Sequence, residues 1–313
     1  FDESLTEQGR NFCNKLWNTF RLISGWTVDE KAGQPEAAGE VIRWFEAKLN
    51  QSLELIEDHF SKFRISDALM VVYTLIRDEF SGWYLEAIKP DYQKPIDQKT
   101  YGRTLEYFDK LLKLLHPFMP FISEEIYQLI TKRKEGESIM IAEMPDAGKY
   151  DTNTLIWFEN TKEVVTNIRK IRTEESIKSA EELKLYVKPL TEYNKQLDFV
   201  IQKLTNVSIH FGQLKMKGNG ISCGFVTNMA EYEIPVKENI DVTTEMVRRE
   251  TEKAKLREEI SYHQGFLNSV VKKLSNEKFV KNAPEKVVEM EKKKKADAEN
   301  KIKSLTERLN TLS

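Results

Sequence analysis

The 313 residues carry 48 Lys and Arg against 50 Asp and Glu, a formal charge of −2, with 31% of positions charged and 40% hydrophobic. That composition excludes one compact apolar globule and favours a helical, well-solvated chain of two or three modules. No apolar run is long enough to span a bilayer and no signal peptide is present, so no membrane partner and a cytoplasmic location are expected; lacking an initiating Met, Phe1 reads as a boundary inside a longer polypeptide.

From Thr6 to about Ser24, Phe12, Leu16, Phe20 and Ile23 repeat at helical spacing. The opposite side carries Asn11, Asn14, Lys15, Asn18 and Arg21, with Leu22 beside them. Amides and guanidinium groups can read the edges of unstacked bases, the way RNA loops are recognised in sequence-specific fashion. The same row also fits an ordinary solvated face. A Gly/Pro/Ala segment from Lys31 to Gly39 interrupts the pattern, and Ile42, Phe45, Leu49, Ile56 and Phe60 set a second helix. A third runs from about Ile65 to Ile88 with Leu69, Val72, Leu75, Ile76, Phe80 and Trp83 inward. It ends at Lys89-Pro90, because proline disfavours helix in the residue before it. A fourth, from Lys99 to His116, carries Leu105, Phe108, Leu111, Leu112 and Leu115, and a fifth opens at Pro120. These lengths and stripes suit an antiparallel bundle.

Gly136 to Asp151 reads as a connector with an extended piece at Ile139-Met140-Ile141, followed by a helix from Trp157 to Ile171. Strands are then expected at Leu183–Val187, Val207–Phe211, Ile221–Val226 and Tyr232–Val236, with a helix from Glu192 to Leu204. Beyond Thr243 the pattern is two long helices hinged over Leu274–Pro284. Met246, Leu256, Ile260, Leu267, Val270 and Leu274 form the seam of the first, tightening toward the hinge; Val288, Ala298, Ile302, Leu305, Leu309 and Leu312 form that of the second. At the hinge Asn282 is placed to cap, Pro284 suits a first turn and Glu285 completes a capping box. The hairpin is expected to project and to bury its seam mainly against itself. Arg248, Arg249, Lys253, Arg257, Lys272, Lys273, Lys278 and Lys281, with Lys255, Lys286 and the run Lys292 to Lys295, make its surface cationic in a chain that is slightly acidic overall. A solvated coiled coil accounts for many such charges. The local excess nevertheless points to a polyanionic partner.

Leu-Ser-Asn-Glu-Lys-Phe-Val-Lys-Asn-Ala-Pro-Glu-Lys-Val-Val, at 274 to 288, resembles the hinge of the C-terminal tRNA-binding arm of the bacterial-type valyl-tRNA synthetase family. Gly9 to Asn18 (Gly-Arg-Asn-Phe-Cys-Asn-Lys-Leu-Trp-Asn), Trp83 to Glu86 (Trp-Tyr-Leu-Glu) and Leu114 to Glu125 (Leu-Leu-His-Pro-Phe-Met-Pro-Phe-Ile-Ser-Glu-Glu) resemble the anticodon-binding bundle shared by valyl, isoleucyl, leucyl and methionyl enzymes. His116 reads as a packed histidine at a helix joint. Asn167 to Arg172 resembles a helix of the same family, although Glu175 to Glu181 lacks the proline-bearing segment expected after it. The resemblance implies anticodon recognition by the first helix, through Asn11, Asn14, Lys15, Asn18, Arg21 and Leu22, with Leu22 standing where many relatives are expected to carry an aromatic. It implies contact with the outer corner of the tRNA, its elbow, through the cations of the arm.

The fold class that follows is mainly α: an antiparallel helix bundle at 1–149, a small α/β linker module at 150–242 and a long antiparallel coiled-coil hairpin at 243–313. No catalytic residue is found. The His-x-Gly-His and Lys-Met-Ser-Lys-Ser signatures of this enzyme class are absent, Lys215 to Asn219 being a superficial echo of the second, and no phosphate loop or nucleophile elbow occurs. Cys13 and Cys223 and the four scattered histidines offer no metal spacing, so no metal ligands are assigned. The resemblance implies a monomer that binds valine tRNA and is inactive alone, with ATP and Mg used by the full-length ligase and no cofactor here. The alternatives are the same region of an isoleucyl or leucyl enzyme, and a coiled-coil scaffold without an RNA partner.

Overall fold

In the computed structural model, residues 3–214, 221–237, 242–276 and 285–311 are described, with side chains described for all but 3–5, 237, 242–249, 285, 286 and 311. The chain is mainly α and divides into two compact units, Phe1–Glu159 and Asn160–Ser313. The hinge residues 277–284, including Lys278, Lys281, Asn282 and Pro284, lie outside the described residues, as do Lys215 to Asn219 and Leu312.

The first unit holds α1 (Glu3–Ser24), α2 (Glu36–Ser61), α3 (Ile65–Thr74), a π-helical stretch (Leu75–Tyr84), α4 (Leu85–Ile88), α5 (Gln98–Leu115) and α6 (Pro120–Ile130). Residues 65 to 88 thus run as one unbroken helical course, whose middle is wound more widely than an α-helix. Helix α2 stops where Phe63 enters the left-handed region at φ 57. Asp97 caps α5, its carboxylate accepting from the Thr100 N–H at 2.8 Å, and a two-residue parallel ladder pairs β1 (Val28–Asp29) with β2 (Ile96–Asp97). The core is aromatic. Phe45 meets Phe80, Tyr84 and Tyr107 at ring-centroid distances of 4.8 to 5.3 Å, and Trp44 stacks on Phe158 at 3.6 Å. Each such ring, fully removed from water, contributes about 2–3 kcal/mol. Its two tyrosine hydroxyls are satisfied: that of Tyr84 pairs with the Thr104 hydroxyl and that of Tyr107 donates to the Ile42 carbonyl. His116 Nδ1 lies 2.8 Å from Ser123 Oγ at the joint of α5 and α6. Residues 139–141, expected to be extended, form a single 3₁₀ turn instead, because the Glu124 carboxylate accepts from both Ser138 Oγ and the Ile139 N–H.

The division between units falls within α7 (Thr152–Glu174). The second unit has a four-stranded sheet in the order β4-β3-β6-β5, made of β3 (Leu183–Pro189), β4 (Val207–Phe211), β5 (Ile221–Val226) and β6 (Ala230–Lys237). Strands β3 and β4 are parallel across α8 (Asp198–Thr205); β6 is antiparallel to both of its neighbours. The helix expected from Glu192 starts only at Asp198, after a 3₁₀ turn capped by the Asn194 side chain. Arg172 organises the segment after α7. Only 7% exposed, it donates to the carbonyls of Lys178, Glu181, Thr205 and Asn206 at 2.8 to 3.0 Å. One guanidinium thereby holds the turn of 175–182 against the end of α8, in the segment that lacks the expected proline. Asn206, left-handed at φ 50, closes that helix and donates to the Ser179 and Ala180 carbonyls.

Helices α9 (Val242–Leu274) and α10 (Glu285–Thr311) complete the unit. They pair in opposite directions, Glu252 with Arg308 and Lys273 with Glu291. The expected seam is only partly realised. Leu256, Val270, Val288, Ala298 and Leu305 are buried, and an apolar cluster joins Leu256 and Leu305 to Val226 of β5, with Ile260 and Leu309 packed on it. The two helices pack chiefly on each other, and their root is held in addition against the sheet. That root contact also covers the edge strand β5, whose uncovered side would leave unpaired backbone groups and apolar side chains in water.

Candidate nucleic-acid interface

Helix α1 buries Phe12, Leu16, Thr19 and Ile23, each 5% exposed or less. Phe20, expected on that face, is only half-buried; Thr19 takes its place because its hydroxyl meets that of Ser81 at 3.1 Å. Ser81 in turn donates to the Ile76 carbonyl, five residues back in the π-helical stretch. This buttress fixes the rotation of α1, and with it the direction of the opposite face.

That face presents Asn11, Asn14, Lys15, Asn18, Arg21 and Leu22, all exposed. Among the described residues none of the five polar side chains has a hydrogen-bond or ion-pair partner. The strip extends about 16 Å along the helix. All but Arg21 line one shallow groove of about 410 Å³, whose far wall is Ser81 and Leu85. Donors and acceptors therefore line a concavity with an apolar surface at Leu22 and Leu85, which suits a flat base offering an edge and a face. Sequence alone did not point to Ser81, because helical spacing within α1 carries no sign of which residue of another helix stands opposite. Leu85 was visible only as part of the Trp83–Glu86 motif.

The second set is electrostatic. Residues 243–313 carry 17 Lys and Arg against 12 Asp and Glu, whereas the preceding 242 carry 31 against 38. Of the eight cations singled out, Arg257 and Lys272 are exposed with no ion-pair partner among the described residues. Lys253 is half-buried and pairs with Glu250 at 3.1 Å; Lys273 stands 3.9 Å from Glu291. Arg248 and Arg249 lie on α9 with side chains that are not described, and Lys278 and Lys281 fall outside the described residues. Within the lysine run, Lys294 binds Glu291 at 2.8 Å and Lys295 faces Glu299, leaving Lys292 and Lys293 exposed. Lys294's hydrogen bond holds Glu291 below the usual carboxylate range. Among the described residues no group of three or more His, Cys, Asp or Glu could hold a metal, and no helix is long and apolar enough to cross a membrane.

Residues 42–187 match the family described as the anticodon-binding domain of tRNA ligase, and residues 250–313 match the valyl tRNA synthetase tRNA binding arm. Helix α1 precedes the first match. The chain is 49% identical over 313 residues to the valine--tRNA ligase of Parabacteroides distasonis, covering 100% of this chain and 35% of that protein. It is 46% identical over 312 residues to that of Porphyromonas gingivalis and 30% identical over 337 residues to that of Fusobacterium nucleatum, covering 34% and 36% of their lengths. The chain thus spans about a third of the length of these relatives.

Proposed function

Because this chain carries the anticodon-binding domain and the tRNA-binding arm of a valyl-tRNA synthetase, we propose that α1 reads a tRNA anticodon while the arm holds the elbow of the same molecule. Bases of the loop enter the groove of α1, where Asn11, Asn14, Lys15 and Asn18 meet their edges, Leu22 and Leu85 their faces, and Arg21 a neighbouring phosphate. Arg248, Arg249, Lys253, Arg257, Lys272, Lys273, Lys278 and Lys281 form the phosphate-contacting surface, joined by Lys292 and Lys293. Functionally the chain divides at 149 and 242, the middle module carrying the arm. The tRNA is a valine tRNA, and the whole protein is a cytoplasmic, monomeric valine--tRNA ligase whose ATP and Mg serve regions outside this chain.

The observation that carries this reading is the groove: unpartnered amides and a lysine on a helix whose opposite face is fixed by packing. Packing alone does not require a polar row there. Footprinting of valine tRNA on the purified chain tests it, with protection expected in both the anticodon loop and the outer corner. Protection of neither overturns the proposal. Valine-dependent pyrophosphate exchange by the chain alone would contradict the placement of catalysis elsewhere.

A further inference from the structure

Between Ala298 and Leu305 on the buried face of α10 stands Lys301, only 7% exposed, where helical spacing calls for an apolar side chain. Its ammonium group donates to Glu163 Oε1 on α7 at 2.7 Å and to the main-chain carbonyl of Val226 at the end of β5. A buried ammonium is costly unless its protons are satisfied, and these two acceptors come from two different elements of the α/β module. Apolar packing is non-directional: Leu256, Leu305 and Val226 would hold α10 on the sheet at a range of angles. Lys301 accepts only one. A neighbouring contact shares this character, because Arg308 reaches Glu252 at 3.0 Å while its guanidinium occupies the space where a Cβ at Gly224 would stand.

We propose that Lys301 is a positioning residue, the latch that fixes the direction in which the arm leaves the α/β module. Its role rests on the proposed function in one respect only: a fixed direction matters because the arm must meet a polyanion at a set place. Held by the latch, the arm is already oriented for its partner. Released, it stays attached by the apolar root but samples other angles, and apparent affinity falls by the fraction of time spent in the competent one.

The test uses the full chain and two variants. Lys301→Met keeps the side-chain stem and removes the charge; Glu163→Ala removes the acceptor and leaves Lys301 in place. Genetically encoded labels at the exposed Lys184 of β3 and Lys293 of α10 report their distance distribution. The expected result is a narrow distribution in the parent chain and a broad or shifted one in each variant, with thermal unfolding retained. Glu163→Gln, which keeps an oxygen acceptor, restores the narrow form. Affinity for valine tRNA falls about tenfold in Lys301→Met if the arm then points correctly about a tenth of the time, while discrimination between anticodons is unchanged. A narrow, unshifted distribution in both variants overturns the latch. Broadening without loss of affinity upholds the latch and counts instead against the RNA role of the arm. Should Lys301→Met fail to fold, Glu163→Ala decides alone.

Discussion

Under the proposed function, the groove of α1 and the cations of α9 and α10 meet opposite demands. On α1 the candidate row consists largely of neutral amides, and the helix behind it is held by side chains at most 5% exposed and by the Thr19–Ser81 contact. Among the described residues of the two arm helices, burial is sparse and cations stand on a surface where several are tied to nearby glutamates. The difference follows from what each contact must do. A hydrogen bond to a base edge fails when its donor turns by a few tens of degrees, whereas an ammonium attracts a phosphate from almost any rotamer. Base reading therefore needs a rigid scaffold; phosphate holding needs charge and a correctly aimed support.

The largest effects should expose that difference in rigidity. Trp44→Ala removes a fully buried ring stacked on Phe158 and should cost about 3–5 kcal/mol. Val270→Ala, in the sparsely packed arm, should cost only about 1–2 kcal/mol. All five tryptophans, at 17, 26, 44, 83 and 157, lie in the first unit, so their fluorescence follows its unfolding while circular dichroism follows both units. Equal losses in urea titrations of the two variants would break the comparison.

The next effect in size belongs to the groove. Substituting Lys15, Asn18 or Arg21 with Ala should reduce discrimination between tRNAs differing only in the anticodon. A base-edge pair is worth about 1–3 kcal/mol, between several-fold and roughly a hundredfold in the ratio of affinities. Equilibrium binding of the two tRNAs measures it. If all three variants keep the parent ratio while remaining folded, the row is a solvated face and the anticodon is read elsewhere.

Much of this was legible from residue spacing, because both surfaces are borne by helices and a helix writes its faces into its own sequence. The row on α1, the course from Ile65 to Ile88 and the proline start of α6 are of that kind. What spacing could not supply was everything set by pairing between distant segments. The donation of Arg172 to four carbonyls, the burial of Lys301 and the opposition of Ser81 to Thr19 each join residues far apart in the chain. Lys301 is the instructive case. On a lysine-rich helix it looks like one more solvated charge, and only the meeting of α7, β5 and α10 makes it a buried one.

A smaller effect separates free arm cations from paired ones. Neutralising Arg257, Lys272, Lys292 or Lys293 singly should flatten the dependence of log K on log salt by about 0.7–0.9 for each phosphate that the substitution leaves without its cation. Lys294, already engaged by Glu291, should change the slope less. Binding titrations across a series of salt concentrations check this, and equal slopes for Lys294→Ala and Lys292→Ala would show that pairing within the arm does not matter.

The smallest effect concerns pH at the arm root, where His263 on α9 faces Lys301 of α10, Glu163 of α7 and Glu259 of its own helix. Burial, then the Lys301 charge, holds the imidazole below its ordinary value despite the two carboxylates. An unfolded chain takes up this proton near pH 6.5, before the folded chain does. Below that pH the unfolded state holds more protons, so this group's contribution to stability is present above about pH 6.5 and is lost as the solution is acidified toward the depressed folded value. Melting of the second unit, followed by circular dichroism with tryptophan fluorescence as the control, should therefore soften between pH 7.5 and 5.5. His263→Gln, which cannot titrate, should remove part of that softening without moving the tryptophan signal. An unchanged pH slope in the variant would mean that the root senses acid through other groups. The first unit, whose groove is lined among the described residues by one ionisable side chain, the exposed Lys15, should keep its anticodon discrimination across the same range.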